Sequence, residues 1–279
     1  MFFGDYARLY SGVEDSMHSK SGLMNFLVLA VLAVSANAQQ AVAPEPTATQ
    51  QQTVAPAKPA PPPASHLAIK YMRDSEEYAT LVRQVYRGAG SVITDKTRSL
   101  AKGSWAVSID IDETALDNSA YQLERAAYGQ EHDTSIFNAW VMRREARAVP
   151  GAAEFVNLVR KLGGKVAWIS DRDAPTAEAT RQNLSAMGLW SDEDRLCLRE
   201  TGGKPKSARR QEVVSGTGKC SWHGSKQRLI AFVGDQLGDF PSAEEGIPET
   251  GRDSAFGSTC FLLPNPTYGR WTNTVTRKF

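Results

Sequence analysis

Acidic side chains follow two short apolar runs of this sequence, close to the points where the runs end. Asp110 and Asp112 follow the run WAVSI, and Asp235 and Asp239 follow the run LIAFV. Carboxylates that are brought close together repel one another strongly unless a cation lies among them. Carboxylate and carbonyl oxygens without histidine or cysteine are the ligands that suit Mg²⁺. The spacing therefore predicts a magnesium site.

A hydroxyl group and an ammonium group lie close to two further runs. Ser170, in the sequence Ser-Asp-Arg, follows the run KVAWI, and Lys206 lies in a lysine-containing segment after the run LCL. Such groups bind phosphate oxygens, which can approach the carboxylates once a metal ion has neutralised them. The combination predicts a phosphoryl-transfer site. Lys204 is the alternative to Lys206, because Gly202 and Gly203 leave the register of this loop open.

These side chains can meet only if the runs form strands that end side by side. The runs are too short and too irregular for helices and predict buried parallel strands at Trp105–Ile109, Lys165–Ile169, Leu196–Leu198, Leu229–Val233 and Thr259–Leu263. Helices are predicted between them at Pro150–Leu162, at Ala174–Met187 with Asp173 as N-cap and Gly188 as its stop, and at Pro205–Val214. The alternation predicts an α/β fold with a three-layer, doubly wound parallel sheet that binds its ligand at the carboxyl ends of the strands.

Two further segments flank the first strand. Asp74 and Glu77 have the spacing of a capping box, and the apolar residues from Tyr78 to Ile93 recur at helical spacing, which predicts an amphipathic helix packed on the core. Residues 116–149 follow the first strand and are too many for a simple connection. We expect them to form a small helical cap, called the cap insert below, over the active site.

The N-terminal region has the composition of a signal peptide followed by a linker. Residues 1–38 end in the apolar run MNFLVLAVLAVSANA, which has signal-peptide length and a small-residue cleavage pattern, so we expect export. Met17 and Met24 are both candidate start sites, and the run is short for a membrane span. Residues 39–65 are rich in Ala, Pro, Gln and Thr and predict a disordered linker. Residues 66–279 then form the single catalytic domain.

Charge and cysteine content narrow the range of partners. The formal net charge is +1, so the composition does not predict binding to a nucleic acid polymer. Cys197, Cys220 and Cys260 match no zinc pattern. In an exported protein we expect either one disulfide with one remaining thiol or three buried core thiols.

Four motifs in this order resemble the haloacid dehalogenase superfamily. They are DxDET at residues 110–114, SxR at 170–172, the basic segment KSxxR at 206–210, and GDxxxDF at 234–240. More narrowly, the sequence resembles the class C non-specific acid phosphatases, a group that includes the bacterial outer-membrane lipoprotein e, from about Tyr71 to Trp271. Further shared stretches are LDNSxY at 116–121, RAVPGA at 147–152 and LPNxxYG at 263–269.

The resemblance implies catalytic and metal-binding roles for the acidic residues. Asp110 would attack the phosphorus atom, while Asp112 would protonate the leaving alcohol and then activate water. Mg²⁺ would be bound by Asp110, by the backbone carbonyl of Asp112 and by Asp235. Asp239 and Arg172 would support this arrangement.

The resemblance also implies a substrate-binding surface. Ser170 and Lys206 would hold the phosphate group. Trp140 in the cap insert and Tyr268 after the last strand would stack on the substrate, and Tyr121 would contact it as well. Two aromatic rings favour nucleoside monophosphates or aryl phosphates.

The expected function is therefore a periplasmic or secreted, Mg²⁺-dependent acid phosphatase that hydrolyses small phosphomonoesters and has no membrane span after signal cleavage. Monomer and homodimer both remain open. A phosphoacceptor signalling receiver uses similar groups, but the export signal and the cap insert argue against it. A non-catalytic binding or storage protein on the same fold is disfavoured because Asp110 is intact, and dehalogenation would not require Asp112.

Overall fold

The computed structural model describes residues 64–130, 132–242, 245 and 252–273. The predicted signal peptide and residues 39–63 of the predicted linker lie outside the described residues. The first helix begins at Ala64.

The apolar runs form the central sheet. The strands are β1 (Trp105–Ile109), β2 (Leu116–Asp117), β3 (Arg147–Ala148), β4 (Lys165–Asp173), β5 (Arg195–Arg199), β6 (Arg228–Gly234) and β7 (Cys260–Leu262). Five of them form one sheet in the order β5-β4-β1-β6-β7, in which all neighbouring strands are parallel. The short strands β2 and β3 pair separately and antiparallel. The predicted parallel sheet is therefore confirmed, with β1 at its centre.

Helices connect the strands. They are α1 (Ala64–Asp74), α2 (Glu76–Lys96), α3 (Ser119–Ala127), α4 (Thr134–Arg143), α5 (Ala152–Lys161), α6 (Ala177–Ala186), α7 (Lys206–Ser215) and α8 (Arg252–Ala255). Among the described residues, no helix is both long and apolar enough to cross a membrane.

Alternate residues of the central strands pack on opposite faces of the sheet, because side-chain direction alternates along a strand. Val107 of β1 and Val166 of β4 lie in the larger hydrophobic core, which also contains the buried faces of α2 and α5. Ala106 and Ala167, one position along, lie in a second cluster with Val213 of α7. The predicted three-layer arrangement is confirmed: the sheet lies between two layers of helices.

The cysteines lie within these layers. Cys197, Cys220 and Cys260 are all buried free thiols. Of the two sequence-based alternatives, the structure has the three core thiols. Cys197 and Cys220 belong to the same cluster as Val213, whereas Cys260 packs beside Phe232 at the other end of the sheet.

Two N-cap predictions were wrong. Helix α2 is capped by Ser75, whose Oγ accepts a hydrogen bond from the Tyr78 backbone N–H, because Asp74 is the last residue of α1 and has helical geometry. Asp173 occupies the N-cap position of the 3₁₀ turn Ala174–Thr176 instead of α6, and its side chain makes no capping hydrogen bond: its carboxylate accepts hydrogen bonds from Asn138 and Arg199. A short 3₁₀ turn follows it, and α6 begins only at Ala177.

The N-cap of α2 can be tested by comparing two neighbouring substitutions. We expect Ser75→Ala to lower the free energy of unfolding by about 1 kcal/mol, because it leaves a helix N–H without its partner. Asp74→Ala removes only ion pairs between exposed side chains and should cost less than about 0.5 kcal/mol. Urea unfolding measures both values, and equal losses would contradict the Ser75 cap.

Candidate active site

The carboxyl ends of β1, β4 and β6 border one cavity, because parallel neighbours end at the same edge of a sheet. The cavity has a volume of about 610 Å³. The predicted site residues that line it are Asp110, Asp112, Tyr121, Ser170, Arg172, Lys206, Asp235 and Tyr268. The parallel arrangement of the strands thus brings together side chains that are far apart in the sequence.

Three carboxylates form a buried cluster at the base of the site. One oxygen from each of Asp110, Asp235 and Asp239 lies within 4.8 Å of the others. Burial raises the pKa of Asp110 well above its usual value, against the lowering effect of Lys206, and the carboxylates of Asp239 and Asp235 raise it further. Burial also raises the pKa of Asp235, to about 6. Three carboxylates around a single ammonium group fit a divalent cation with oxygen ligands, such as Mg²⁺.

The loop after β6 holds two members of this cluster. Asp239 accepts a hydrogen bond from the Gln236 backbone N–H at 2.8 Å. This approach requires glycine at position 234, because a Cβ on Gly234 would lie 2.3 Å from the Asp239 Cβ. Asp235 accepts hydrogen bonds from Asn265 at 2.7 Å and from the Gln236 side chain at 2.9 Å. The loop therefore presents both carboxylates in defined orientations.

Lys206, rather than Lys204, is the lysine of the site. Its Nζ donates to Asp110 Oδ1 and to Asp239 Oδ1, each at 2.5 Å. Burial by itself lowers the pKa of Lys206, but these two carboxylates raise it well above the usual value, so the side chain is charged. Lys204 is exposed and pairs with Glu212 outside the cavity.

One face of helix α7 connects three active-site loops, and we call it the basic face: Lys206, Arg209 and Arg210. These residues share a face because they lie three and four positions apart. Lys206 binds the acidic cluster. Arg209 donates to the backbone carbonyl of Ser170 at 2.5 Å and pairs with the carboxylate of Asp171. Arg210 donates to carbonyl groups of the loop after β6, including that of residue 239 at 3.1 Å. The helix therefore sets the relative positions of the loops.

The side chain of Asp112 points away from the acidic cluster. Its Oδ1 accepts hydrogen bonds from Arg172 Nε at 3.0 Å and Arg172 Nη2 at 2.8 Å. Its Oδ2 faces the Ser170 hydroxyl at 3.4 Å. Arg172 is itself fixed, since its Nη1 donates to Thr180 Oγ1 at 3.2 Å. Two aspartates that are two residues apart thus face different partners.

The turn between these aspartates and the cap insert depends on Glu113. This residue has φ of 56° and is buried. Its carboxylate accepts hydrogen bonds from the Asn118 backbone N–H at 3.1 Å and from the Tyr268 hydroxyl. Burial raises the pKa of Glu113 well above its usual value. Glu113 thereby joins the β1 loop, the start of the cap insert and the chain after β7.

The aromatic residues predicted to contact substrate occupy different environments. Tyr121 and Tyr268 both line the cavity, and so does Phe137 of α4, which the sequence did not single out. Trp140 lies outside this lining. Its indole is buried and its Nε1 donates to Asn118 Oδ1 at 2.8 Å, so stacking on a substrate does not fit its position.

Sequence reasoning missed Asn118, Glu113 and Asn265 as site residues. Asn265 carried a detectable signal, because it follows β7 as the aspartates follow β1 and β6. Asn118 and Glu113 carried no comparable signal, since their contacts depend on how the cap insert returns to the sheet.

Comparison with protein families decides the assignment. The family described as HAD superfamily, subfamily IIIB (Acid phosphatase), matches residues 29–271. The chain belongs to this family.

Relatives of this subfamily IIIB chain occur in plants and bacteria. Acid phosphatase 1 from Solanum lycopersicum is 28% identical over 212 residues, covering 69% of this chain and 74% of the tomato protein. A stem 31 kDa glycoprotein from Glycine max is 27% identical over 164 residues, and the chain spans 57% of the length of that protein. The crystal structure of the class C acid phosphatase from Bacillus anthracis matches with a TM-score of 0.63 at 25% identity, covering 74% of this chain and 86% of the bacterial chain. The class C resemblance and the haloacid dehalogenase-like fold are therefore confirmed.

Proposed function

We propose that this chain is a Mg²⁺-dependent acid phosphatase that hydrolyses phosphomonoesters through an aspartyl-phosphate on Asp110. The observation that supports it most strongly is the placement of Asp110 at the centre of the sheet, beside Lys206 and two further carboxylates, in a chain of subfamily IIIB. A carboxylate in such a site is a nucleophile that divides a difficult hydrolysis into two easier steps.

In the first step the residues of the chain bind and orient the phosphate group. The Lys206 ammonium and the Ser170 hydroxyl hold its oxygens, and Asp110 attacks the phosphorus atom. Asp110 is oriented for attack because Lys206 binds its Oδ1, and its backbone N–H donates to the Val233 carbonyl at 3.0 Å. The bond from phosphorus to the leaving oxygen breaks as the bond to Asp110 forms.

Asp112 moves the proton in both steps. Its carboxylic acid protonates the leaving alcohol, and the resulting carboxylate then takes a proton from the water that attacks the aspartyl-phosphate. Arg172 holds Asp112 Oδ1 through two hydrogen bonds, so the carboxylate stays directed away from Asp110.

A magnesium ion would be held by Asp110, Asp235 and the backbone carbonyl of Asp112, with Asp239 in support, since one oxygen from each of the three side chains Asp110, Asp235 and Asp239 lies within 4.8 Å of the others. When bound, it neutralises the carboxylates and the negative charge of the phosphate in the transition state. Burial and the neighbouring carboxylates raise the pKa values of Asp110 and Asp235, and a divalent cation between them would offset both effects.

The cavity supports a substrate larger than inorganic phosphate. Its volume of about 610 Å³ extends beneath the cap insert, where Tyr121 and Phe137 contribute aromatic surface. Tyr268 lines the same cavity. We therefore propose nucleoside monophosphates or aryl phosphates as substrates, bound beneath residues 116–149 acting as a cap.

We further propose that residues 66–279 act as the catalytic domain of a protein exported to the periplasm or secreted. The support is the signal-like composition of residues 1–38. Cell fractionation of the full chain tests it, and recovery of the uncleaved protein in the cytoplasm alone would contradict it.

The proposed function predicts that the catalytic activity depends on Mg²⁺. We expect the purified mature protein to hydrolyse an aryl phosphate and nucleoside monophosphates with Mg²⁺ and to lose activity with excess chelator. Magnesium at about 100 times its Kd should restore activity and add about 2.7 kcal/mol to the free energy of unfolding.

Two variants give this experiment its control. Asp235→Asn should lose the stabilisation by Mg²⁺, whereas Asp171→Asn should retain it, because Asp171 pairs with Arg209 outside the cluster. Full activity after dialysis against chelator would contradict the metal site, and failure to release phosphate under any condition would contradict the function.

A further inference from the structure

Three side chains, of which Trp140 and Asn118 are buried and Asp112 is half-buried, are hydrogen-bonded in series between the cap insert and the proposed acid. Trp140 Nε1 on α4 donates to Asn118 Oδ1 at 2.8 Å. Asn118 Nδ2 donates to Asp112 Oδ1 at 2.9 Å. The series begins 22 positions from Asn118 in the chain and ends at the residue that transfers the proton in the proposed mechanism.

The chemistry of the indole determines how the amide is oriented. An indole N–H donates and cannot accept, so the group of Asn118 that faces Trp140 must be the carbonyl oxygen. The NH₂ group of Asn118 must then face Asp112. The opposite orientation would place two donors together at Trp140 and two oxygens together at Asp112. The backbone of Asn118 is also fixed, because its N–H donates to Glu113.

The oriented amide completes an asymmetric environment around the Asp112 carboxyl group. Oδ1 accepts one hydrogen bond from Asn118 and two from Arg172. Oδ2 faces only the Ser170 hydroxyl among the described side chains, at 3.4 Å. Three N–H donors therefore occupy Oδ1, whereas Oδ2 has a single long contact with a hydroxyl group.

We propose that Asn118 is a positioning residue for Asp112 and that Trp140 of the cap insert fixes its orientation. Together they reserve Asp112 Oδ2 for proton transfer to the leaving group. This inference rests on the proposed function. It gives Trp140 a role in the chemical step through hydrogen bonding, in place of stacking on substrate.

The decisive variant is Trp140→Phe, which keeps the aromatic ring but removes the N–H. Single-turnover release of the leaving group should be measured for phosphate esters that range from nitrophenol to simple alcohols. We expect the rate for alkyl esters to fall by about 10-fold, which is a fraction of what general acid catalysis contributes. The rate for nitrophenyl phosphate should fall by less than about 2-fold, because nitrophenolate leaves without a proton. Competitive inhibition by inorganic phosphate should be unchanged.

Trp168→Phe is the matched control. Trp168 is buried like Trp140, and its Nε1 donates to Asp194 Oδ2 at 3.0 Å, in a contact with no connection to Asp112. We expect this variant to lose stability without any change in the dependence of rate on the leaving group. An equal change in both variants would overturn the inference, because the effect would then follow from core damage.

A second variant keeps the proposal testable if Trp140→Phe folds poorly. Asn118→Asp preserves shape and the acceptor for Trp140 but presents an oxygen to Asp112. It should also impair alkyl esters more than nitrophenyl phosphate, and the double variant should be no worse than the poorer single one, since both act through one contact. Equal losses for all esters, or additive losses, would overturn the positioning role. If the wild type turns over and Asp112→Asn impairs it, such results reject this inference alone, whereas an inactive wild type rejects the proposed function as well.

Discussion

Asp110→Asn is expected to abolish turnover while the fold remains intact. An amide cannot form the aspartyl-phosphate, so the loss should reach the detection limit of the assay. Folding should not suffer. Burial raises the pKa of Asp110 in the metal-free protein, which means that ionising this group opposes folding at neutral pH. Lys206 also retains Asp239 as a partner.

Phosphate release, circular dichroism and thermal unfolding measured without metal test this expectation. The Tm should equal or exceed that of the wild type. Lys204→Ala is a useful control, because Lys204 is exposed and pairs outside the site, so the variant should keep its activity. Wild-type turnover by Asp110→Asn, with mass spectrometry excluding reversion by deamidation, would show that the nucleophile lies elsewhere.

Asp112→Asn should separate the two chemical steps. An amide can neither protonate an alkoxide nor accept a proton from water, and this proton transfer is worth about 10²-fold to 10⁴-fold in rate. With an aryl phosphate the leaving group departs without a proton, so the rate of phosphorylation of Asp110 should fall less than the rate of hydrolysis of the aspartyl-phosphate. We therefore expect a burst of phenol and accumulation of phosphoenzyme. The rate with a nucleoside monophosphate should fall further, because its leaving group is an alkoxide that needs a proton.

The comparison must be made at saturating Mg²⁺, since removing a charge close to the metal weakens its binding. Acid-quenched protein labelled from an aryl [³²P]phosphate measures the phosphoenzyme directly. Equal losses for the two substrates without a labelled intermediate would leave Asp112 with a purely structural role. Arg172→Lys should show a milder version of the same selectivity, because it weakens the hold on Asp112 Oδ1 and keeps the positive charge.

The sheet and the acidic residues at the base of the site could be predicted from local sequence. β1 was predicted with its observed bounds, because a short, mostly apolar run without helical periodicity indicates a buried strand, and all five of its residues are buried in the structure. The carboxylates at the ends of β1 and β6 then had to converge, whatever the intervening helices did. The sequence favoured Lys206 but left Lys204 open, because the loop before α7 contains two glycines and fixes no register; the structure places Lys206 beside Asp110 and Lys204 outside the cavity.

The structure of the cap insert was predicted much less accurately. Its length and helical character were predicted, but the bounds of α3 and α4 were not, and Trp140 was assigned to the substrate surface. Whether an indole faces a cavity or the interior depends on how α4 packs against the sheet, which periodicity alone does not determine. The N-cap of α2 failed for a related reason. Asp74 and Ser75 are both good N-cap residues, and the choice was made by α1, which continues through Asp74.

The basic face of α7 limits how this enzyme can change over evolutionary time. An α-helix turns by about 100° per residue, so one insertion or deletion between Lys206 and Arg209 would turn Lys206 away from the direction of Arg209 and Arg210. The acidic cluster, the Ser170 loop and the loop after β6 would lose their alignment in one event. A change in the length of the loop before α7 can be absorbed by that loop, whereas the spacing of Lys206, Arg209 and Arg210 within the helix is constrained by the three loops that they contact.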